Sequence, residues 1–487
     1  MKKKIFILLT ISFFLHLFIF SINKKTDYNF GILKYHINLA ANIIKTGSLK
    51  NNLDFQDYLS KLYHENENEL VKIDKNIIDS LDSKKSTFWY ERNPGYGVLL
   101  AITWKFFNTY SYLPIIIFQI IINVFISLIV FFIIFEISHN KFYATFGLVG
   151  YIFCFPLIFL AIFPSEDIWG IWSIIIFIFF IIKEKNFKNL SIAFAVLGFF
   201  SYIHELPHIL IKYLALIIPF YFFYNKNNFK IFIKKYFIGV FLSLIIPAII
   251  LSPYSIRNYL IFNKYIETRY YGDLGTITSY AEFDKGFLAK GDTLLIPMIE
   301  KKISDQNLKL NRSNPEYWDI FNDELKEYKK TIPWYKRIQN SFLRIPSLIK
   351  QRQFWGFENF TGLIKEIREK NKRFTKPLQA ENKRYKTIYF IKDNPLHIAS
   401  VFEIFKAFID IILIFMIGNL FFLIYVFKKK DPKSIIILMI NFLIYGGNLF
   451  YFVDQKYILF PYIVNFIFMF IFISNLIKKR LSDFKNS

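Results

Sequence analysis

Cysteine is all but missing from this chain. Its single thiol, Cys154, lies inside an apolar run, so neither an intramolecular disulfide framework nor a Cys-x-x-Cys metal site can be built. Cys154 reads as a filler facing lipid or core. Acidic residues are scarce beside basic ones, 37 against 61, which leaves a formal net charge of +24. In a soluble protein that balance points to nucleic acid, but no aromatic-stacking motif on a polar domain accompanies it, and no nucleic-acid partner is expected. The lysine clusters stand instead at the ends of apolar stretches, where membrane proteins carry their cytoplasmic positive charge. No internal repeat of fixed period is visible.

Apolar residues are in excess: they make up 54% of the 487 positions, and mean hydropathy is +0.33. The richness in Phe, Lys and Asn has the look of an A/T-rich coding genome, so any one of these residues carries little information. Soluble cores are cut into short apolar pieces, whereas several stretches here reach about 20 residues, the span of a bilayer. The expected fold is an all-α polytopic membrane protein. After Lys2, Lys3 and Lys4, the run from Ile5 to Ile22 reads as an uncleaved first helix, because no small-residue cleavage site follows it. Further spans are expected at 112–137, 142–163, 167–183, 190–203, 207–224, 236–253, 399–427, 434–452 and 457–477, about ten in all, with the fifth short enough to be broken. Within 23–95, the apolar positions Ile32, Leu33, Ile37, Ala40, Ala41 and Ile44 predict a surface helix, with Gly47 as its C-cap.

An even number of spans puts both termini in the cytoplasm. His139 to Lys141, the lysines of 183–189 and 225–235, Lys428 to Lys430, and Lys478 to Arg480 then all fall inside, while the turns Pro164–Asp167 and Val453–Lys456 fall outside. Three regions follow: an N-terminal transmembrane module over 1–253 with outer-loop helices in 23–95, an extracytoplasmic segment over 254–398, and C-terminal transmembrane helices over 399–487.

Ionisable residues gather where spans meet the outer surface: Asp27, Glu166 and Asp167, then His204, Glu205 and His208, Arg257 beside Asn258, and Asp454 with Lys456. One ionisable group at a membrane boundary is costly against lipid and is usually wet, paired or functional. Groups of both signs on one face suit transfer from an anionic lipid-linked donor. A carboxylate takes the acceptor's proton or holds a metal, and the cations stabilise the departing phosphate. Glu166-Asp167 also reads as the N-terminal acid pair of the helix starting at Ile168.

The order of these residues resembles a known group. An uncleaved first helix, Asp27, a surface helix with Tyr35, Ala40-Ala41 and Gly47, then Arg92-Asn93-Pro94-Gly95-Tyr96, is similar to the opening of bacterial GT-C superfamily glycosyltransferases, which include protein mannosyltransferase-like and lipid A aminoarabinose transferase-like enzymes. Ser252-Pro253-Tyr254-Ser255-Ile256-Arg257-Asn258-Tyr259 resembles that group's segment after the seventh span, and Asp454-Gln455-Lys456-Tyr457 with Pro461 the start of its last span. The resemblance implies inverting transfer of a sugar from a polyprenyl-phosphate donor to a lipid, glycan or protein acceptor, on the outer face of a bacterial cytoplasmic membrane. It implies Asp27 as a catalytic acid, Glu166 or Asp167 beside it, and Arg257, Asn258, Arg92 and Lys456 on the donor phosphate. A divalent cation is compatible with it; nucleotide and redox cofactors are not expected. The chain departs from the group's pattern at Tyr28, at Tyr254 where Trp is usual, and at His204-Glu205-Leu206-Pro207-His208 where many relatives carry Arg-Pro.

That last segment also spells His-Glu-x-x-His, the helical zinc motif with His204 and His208 as ligands and Glu205 as base. Pro207 disfavours helix at Leu206 unless the motif forms a first turn, and no Leu-Asp-Gly third-ligand motif appears. An intramembrane metalloprotease is therefore one rival reading. A lipid-linked saccharide transporter is another, although Glu136, Glu403, Lys406 and Asp410 sit near span ends rather than along a path.

Overall fold

The computed structural model describes residues 2–22, 30–65, 73–82, 86–89, 92–183, 186–214, 229–268, 291–306, 308, 310, 315–343, 418–429 and 432–450. Asp27, Glu403, Lys406, Asp410, Asp454, Lys456 and the span expected at 457–477 lie outside the described residues.

The chain is mostly helical. An apolar first helix, α1 (Lys2–Ile22), precedes an outer layer of α2 (Phe30–Thr46), α3 (Leu53–Glu65) and the short α4 (Lys75–Asp79). Two three-residue strands, β1 (Lys50–Asn52) and β2 (Ser86–Phe88), pair antiparallel with Lys50 opposite Phe88. Then come α5 (Gly95–Phe107), α6 (Leu113–Ser138), α7 (Lys141–Ile152), α8 (Phe155–Ile162), α9 (Asp167–Lys183), α10 (Phe187–Ser201), α11 (Glu205–Lys212) and α12 (Phe229–Phe262). An outer lobe of α13 (Gly291–Asp305), α14 (Pro315–Thr331) and α15 (Trp334–Leu343) follows, and α16 (Gly418–Lys429) and α17 (Pro432–Phe450) complete the described helices.

Three of these, over Lys3–Ser21, Leu113–Ser138 and Ile233–Phe262, are long and apolar enough to cross a membrane, and Gly95–Phe107, Phe187–Ser201 and Lys433–Ile444 are shorter apolar helices. The 26 residues of α6 rise about 39 Å, more than the hydrocarbon thickness. Phe6, Phe14 and Phe18 on α1, Phe118, Phe125 and Phe132 on α6, and Phe237 and Phe241 on α12 are exposed, as side chains facing lipid must be. The chain is an integral membrane protein.

The surface helix forms as its periodicity predicts. Gly47 ends it with φ +68°, a left-handed conformation that costs glycine nothing, and donates its N–H to Ile43 O at 2.8 Å. Two expectations are corrected. The third span is not continuous: the chain breaks at Phe153-Cys154 into α7 and α8, with Pro156 in the first turn of α8 where its missing donor does no harm. The fifth span, expected to be short and open to a break, is indeed short but unbroken, the 15 residues of α10. In addition, α12 runs nine residues beyond Pro253, so Arg257 and Asn258 lie on a helix and not in the following segment.

Lipid tails are as apolar as the helices, so packing in a bilayer leans on close contact and polar ties. The main tie is Asn123 of α6. Its Nδ2 reaches His16 Nε2 of α1 at 2.8 Å, while its Oδ1 accepts from Tyr151 Oη at 2.7 Å and Trp172 Nε1 at 2.9 Å. His16 Nδ1 meets Ser12 O at 2.7 Å. Four helices are thereby joined through one buried amide. At the far end of α6, Glu136 pairs with Lys433 of α17 at 3.1 Å.

Candidate functional site

The site lies at the end of the bundle where the outer layer meets α9 and α11, and the Arg92-Asn93-Pro94-Gly95-Tyr96 segment builds its floor. Asn93 Nδ2 donates to Ser201 O at 2.6 Å and Gly95 N to Tyr202 O at 2.7 Å. A Cβ at position 95 would lie 2.7 Å from that carbonyl oxygen, so only glycine permits the approach. Tyr96 Oη donates to Gln119 Oε1 at 2.8 Å, and Gln119 Nε2 donates to Ala161 O and Phe163 O at 3.1 and 2.7 Å. The turn carrying Ser165, Glu166 and Asp167 is thus anchored from α5 through α6.

On that turn each acid meets its own histidine. Glu166 Oε2 lies 3.0 Å from Nε2 of His36, a fully buried ring on α2 packed edge-on against Tyr96. The pair is close but not aligned as a hydrogen bond, and neither ring nitrogen of His36 has a hydrogen-bond partner among the described residues. Burial pushes the Glu166 carboxyl up, but His36, His204 and Arg92 together outweigh it and hold the group below the usual carboxylate range. Asp167 Oδ1 faces His204 Nε2 at 3.3 Å, and Asp167 Oδ2 accepts from Ser165 Oγ at 2.7 Å.

His204 is the N-cap of α11, with Nδ1 accepting from Leu206 N at 3.0 Å. With that bond made, the neutral form of the ring carries its proton on Nε2, facing Asp167. The ring sits where Gly170 leaves room, since a Cβ there would come within 2.5 Å of Nδ1. A third pair joins His208 Nε2 to Glu267 Oε2 at 3.0 Å, and the hydrogen bond from His208 holds the Glu267 carboxyl below its ordinary value.

The zinc reading of His204, Glu205 and His208 does not fit this geometry. Pro207 falls inside the first turn of α11, as the motif requires, but the two imidazoles face different carboxylates and Glu205 opens the helix half-buried. Among the described residues, no three His, Cys, Asp or Glu side chains converge on a point that could hold a metal ion.

Arg257 is engaged with backbone. Its Nη1 donates to Trp89 O at 2.8 Å and to Asn258 Oδ1 at 2.5 Å, and its Nη2 to Leu49 O at 2.8 Å. These bonds clamp the residues flanking the paired strands, Leu49 before β1 and Trp89 after β2, onto α12. Among the described residues, three of the five guanidinium N–H groups are so used. Asn258 is fully buried and donates to Ile266 O at 3.2 Å. The guanidinium of Arg92 stacks over the Tyr35 ring at 4.9 Å from its centroid.

The structure therefore brings Glu166, Asp167, His204 and Arg92 together and places Arg257 and Asn258 beneath the strands of the outer layer. Sequence reasoning passed over His36. Its signal is position: in the face Ile32, His36, Ala40, Ile44 it is the one ionisable group on an apolar stripe. Glu267, Gln119 and Asn123 were likewise unmarked.

No protein-family model matches the chain, and no curated protein matches it by sequence. Among solved structures it is similar to the archaeal oligosaccharyltransferase AglB from Archaeoglobus fulgidus in complex with an inhibitory peptide and a dolichol-phosphate. Identity is 10% and the TM-score 0.47, over 98% of this chain and 51% of that one. The chain thus spans about half the length of that protein.

Proposed function

We propose that the protein is a membrane glycosyltransferase that moves a sugar from a polyprenyl-phosphate donor to an acceptor hydroxyl at the outer face. The observation that carries this reading is the pair of adjacent acids, Asp167 buried and Glu166 partly so, each backed by a histidine from a different segment, with Arg92 beside them. The ordered sequence motifs supply the reaction class.

In this reading the acceptor oxygen attacks the anomeric carbon, the bond from that carbon to the phosphate oxygen breaks, and the phosphate leaves with the electron pair. Asp27 takes the acceptor's proton. Glu166, with its proton affinity lowered, is a poor base and a good fixed negative charge opposite the oxocarbenium-like transition state. Arg92, Lys456 and Arg257 are the cations this reading assigns to the departing phosphate.

The test is transfer of label from polyprenyl-phosphate sugars in membranes holding wild type, Asp27→Asn or Glu166→Gln. Transfer by wild type, and its loss in both variants at equal protein level, is the expected result. Transfer that survives Asp27→Asn removes that residue from the chemistry. Donor binding with no product in wild type replaces the enzyme with a lipid-linked saccharide carrier.

A further inference from the structure

The outer lobe treats its helices unequally. The inner sides of α13 and α14 enclose a small core with Ile299, Trp318 and Phe321, held near the end of α12 by Ile266 and by the Lys264–Asp319 ion pair. The outer side of α14 is dressed for water, with Lys326–Asp323 and Lys330–Glu327 paired at 2.9 and 2.6 Å on exposed positions. After Pro333 the pattern reverses. On α15, Trp334 is 72% exposed, Tyr335 56% and Ile338 43%.

At 3.6 residues per turn these three fall within an arc of about 100°, while Lys336 stands on the opposite side. Trp, Tyr and Ile on one arc and lysine on the other is the composition of a helix lying in a bilayer interface, where the amphipathic rings sit at headgroup level. The helix also packs against α17, whose Lys433–Ile444 stretch is one of the apolar helices. α17 also exposes Phe442, so α15 lies against a helix with apolar surface to turn to lipid.

We infer that α15 is an interfacial anchor: Trp334, Tyr335 and Ile338 insert into the headgroup and acyl boundary of the bilayer and hold the outer lobe down at membrane level. The occupant of the arc is lipid, and the anchor is independent of what the acid and histidine cluster does.

The experiment uses the full chain in vesicles of phosphatidylcholine and phosphatidylglycerol, with Cys154→Ser and single nitroxide labels at Trp334→Cys, Tyr335→Cys, Lys336→Cys and Ile338→Cys. Collision with oxygen relative to a water-soluble nickel chelate should be several-fold higher at 334, 335 and 338 than at 336. High nickel collision at all four sites would overturn the anchor by putting α15 in water. Low collision with both reagents at 334, 335 and 338 would overturn it by showing a protein surface over the arc. Should a labelled variant fail to fold, brominated-lipid quenching of tryptophan emission decides the matter in the native background. Trp334→Phe should reduce the quenched fraction, and an unchanged fraction overturns the anchor.

Discussion

Glu166 and His36 carry the sharpest consequence of the site. A carboxyl held below its unfolded value adds stability that is present above the unfolded value and is lost as pH falls through the folded one. Thermal unfolding in detergent, followed from about pH 7 to about pH 3, should lose more in wild type than in Glu166→Gln. Equal losses would show that the carboxylate is not held by its neighbours. Removing the imidazole with His36→Gln should raise the Glu166 value and narrow that difference. At this scale the sequence displayed the residue types and their common face, and little of the pairing. Glu166 and Asp167 are adjacent in the chain yet engage different histidines, because successive residues at a helix start point in different directions. His36 could be singled out only once its stripe was known to be buried.

Among the elements, Arg257 separates a holding role from a binding one. Arg257→Lys keeps the charge but cannot fork between Leu49 O and Trp89 O, and the loss should be about 1–3 kcal/mol in denaturation of the detergent-solubilised protein. Weakened donor binding with stability unchanged would assign the guanidinium to the phosphate alone. At Asn123 three polar ties meet at one amide, and polar contacts between membrane helices average about 0.6 kcal/mol each. Asn123→Ala should therefore cost about 2 kcal/mol by the same measurement. The surface helix and its glycine cap were legible because period and terminator agree within 17 residues. The break at Cys154 was not, since the apolar run continues through 142–163 and hydropathy does not register where one helix ends and the next begins. Nor was the continuation of α12: Pro253 suggests a stop, but an interior proline can be carried where neighbouring groups satisfy the freed carbonyl.

For the whole molecule, the two ends of α6 define a polarity. Gln119 ties the acid-bearing turn near one end, and Glu136 meets Lys433 some 25 Å farther along the axis. If the acid and histidine end faces outward, an impermeant thiol reagent applied to intact cells should label a cysteine at Glu267 and leave one at Lys141 unlabelled until the membrane is opened. A reporter fused at Ser487 should report a cytoplasmic location; an outer one would break the even count of spans. The expected polarity rests on loop charge, which is a matter of composition and needs no knowledge of packing.

The room that Gly170 leaves for His204 makes two positions 34 residues apart into a single hereditary unit. An alanine at 170 should impair the protein, and a selection for recovery should return to glycine or replace His204 with a smaller cap such as serine or asparagine. In natural variation the two sites should drift together or not at all.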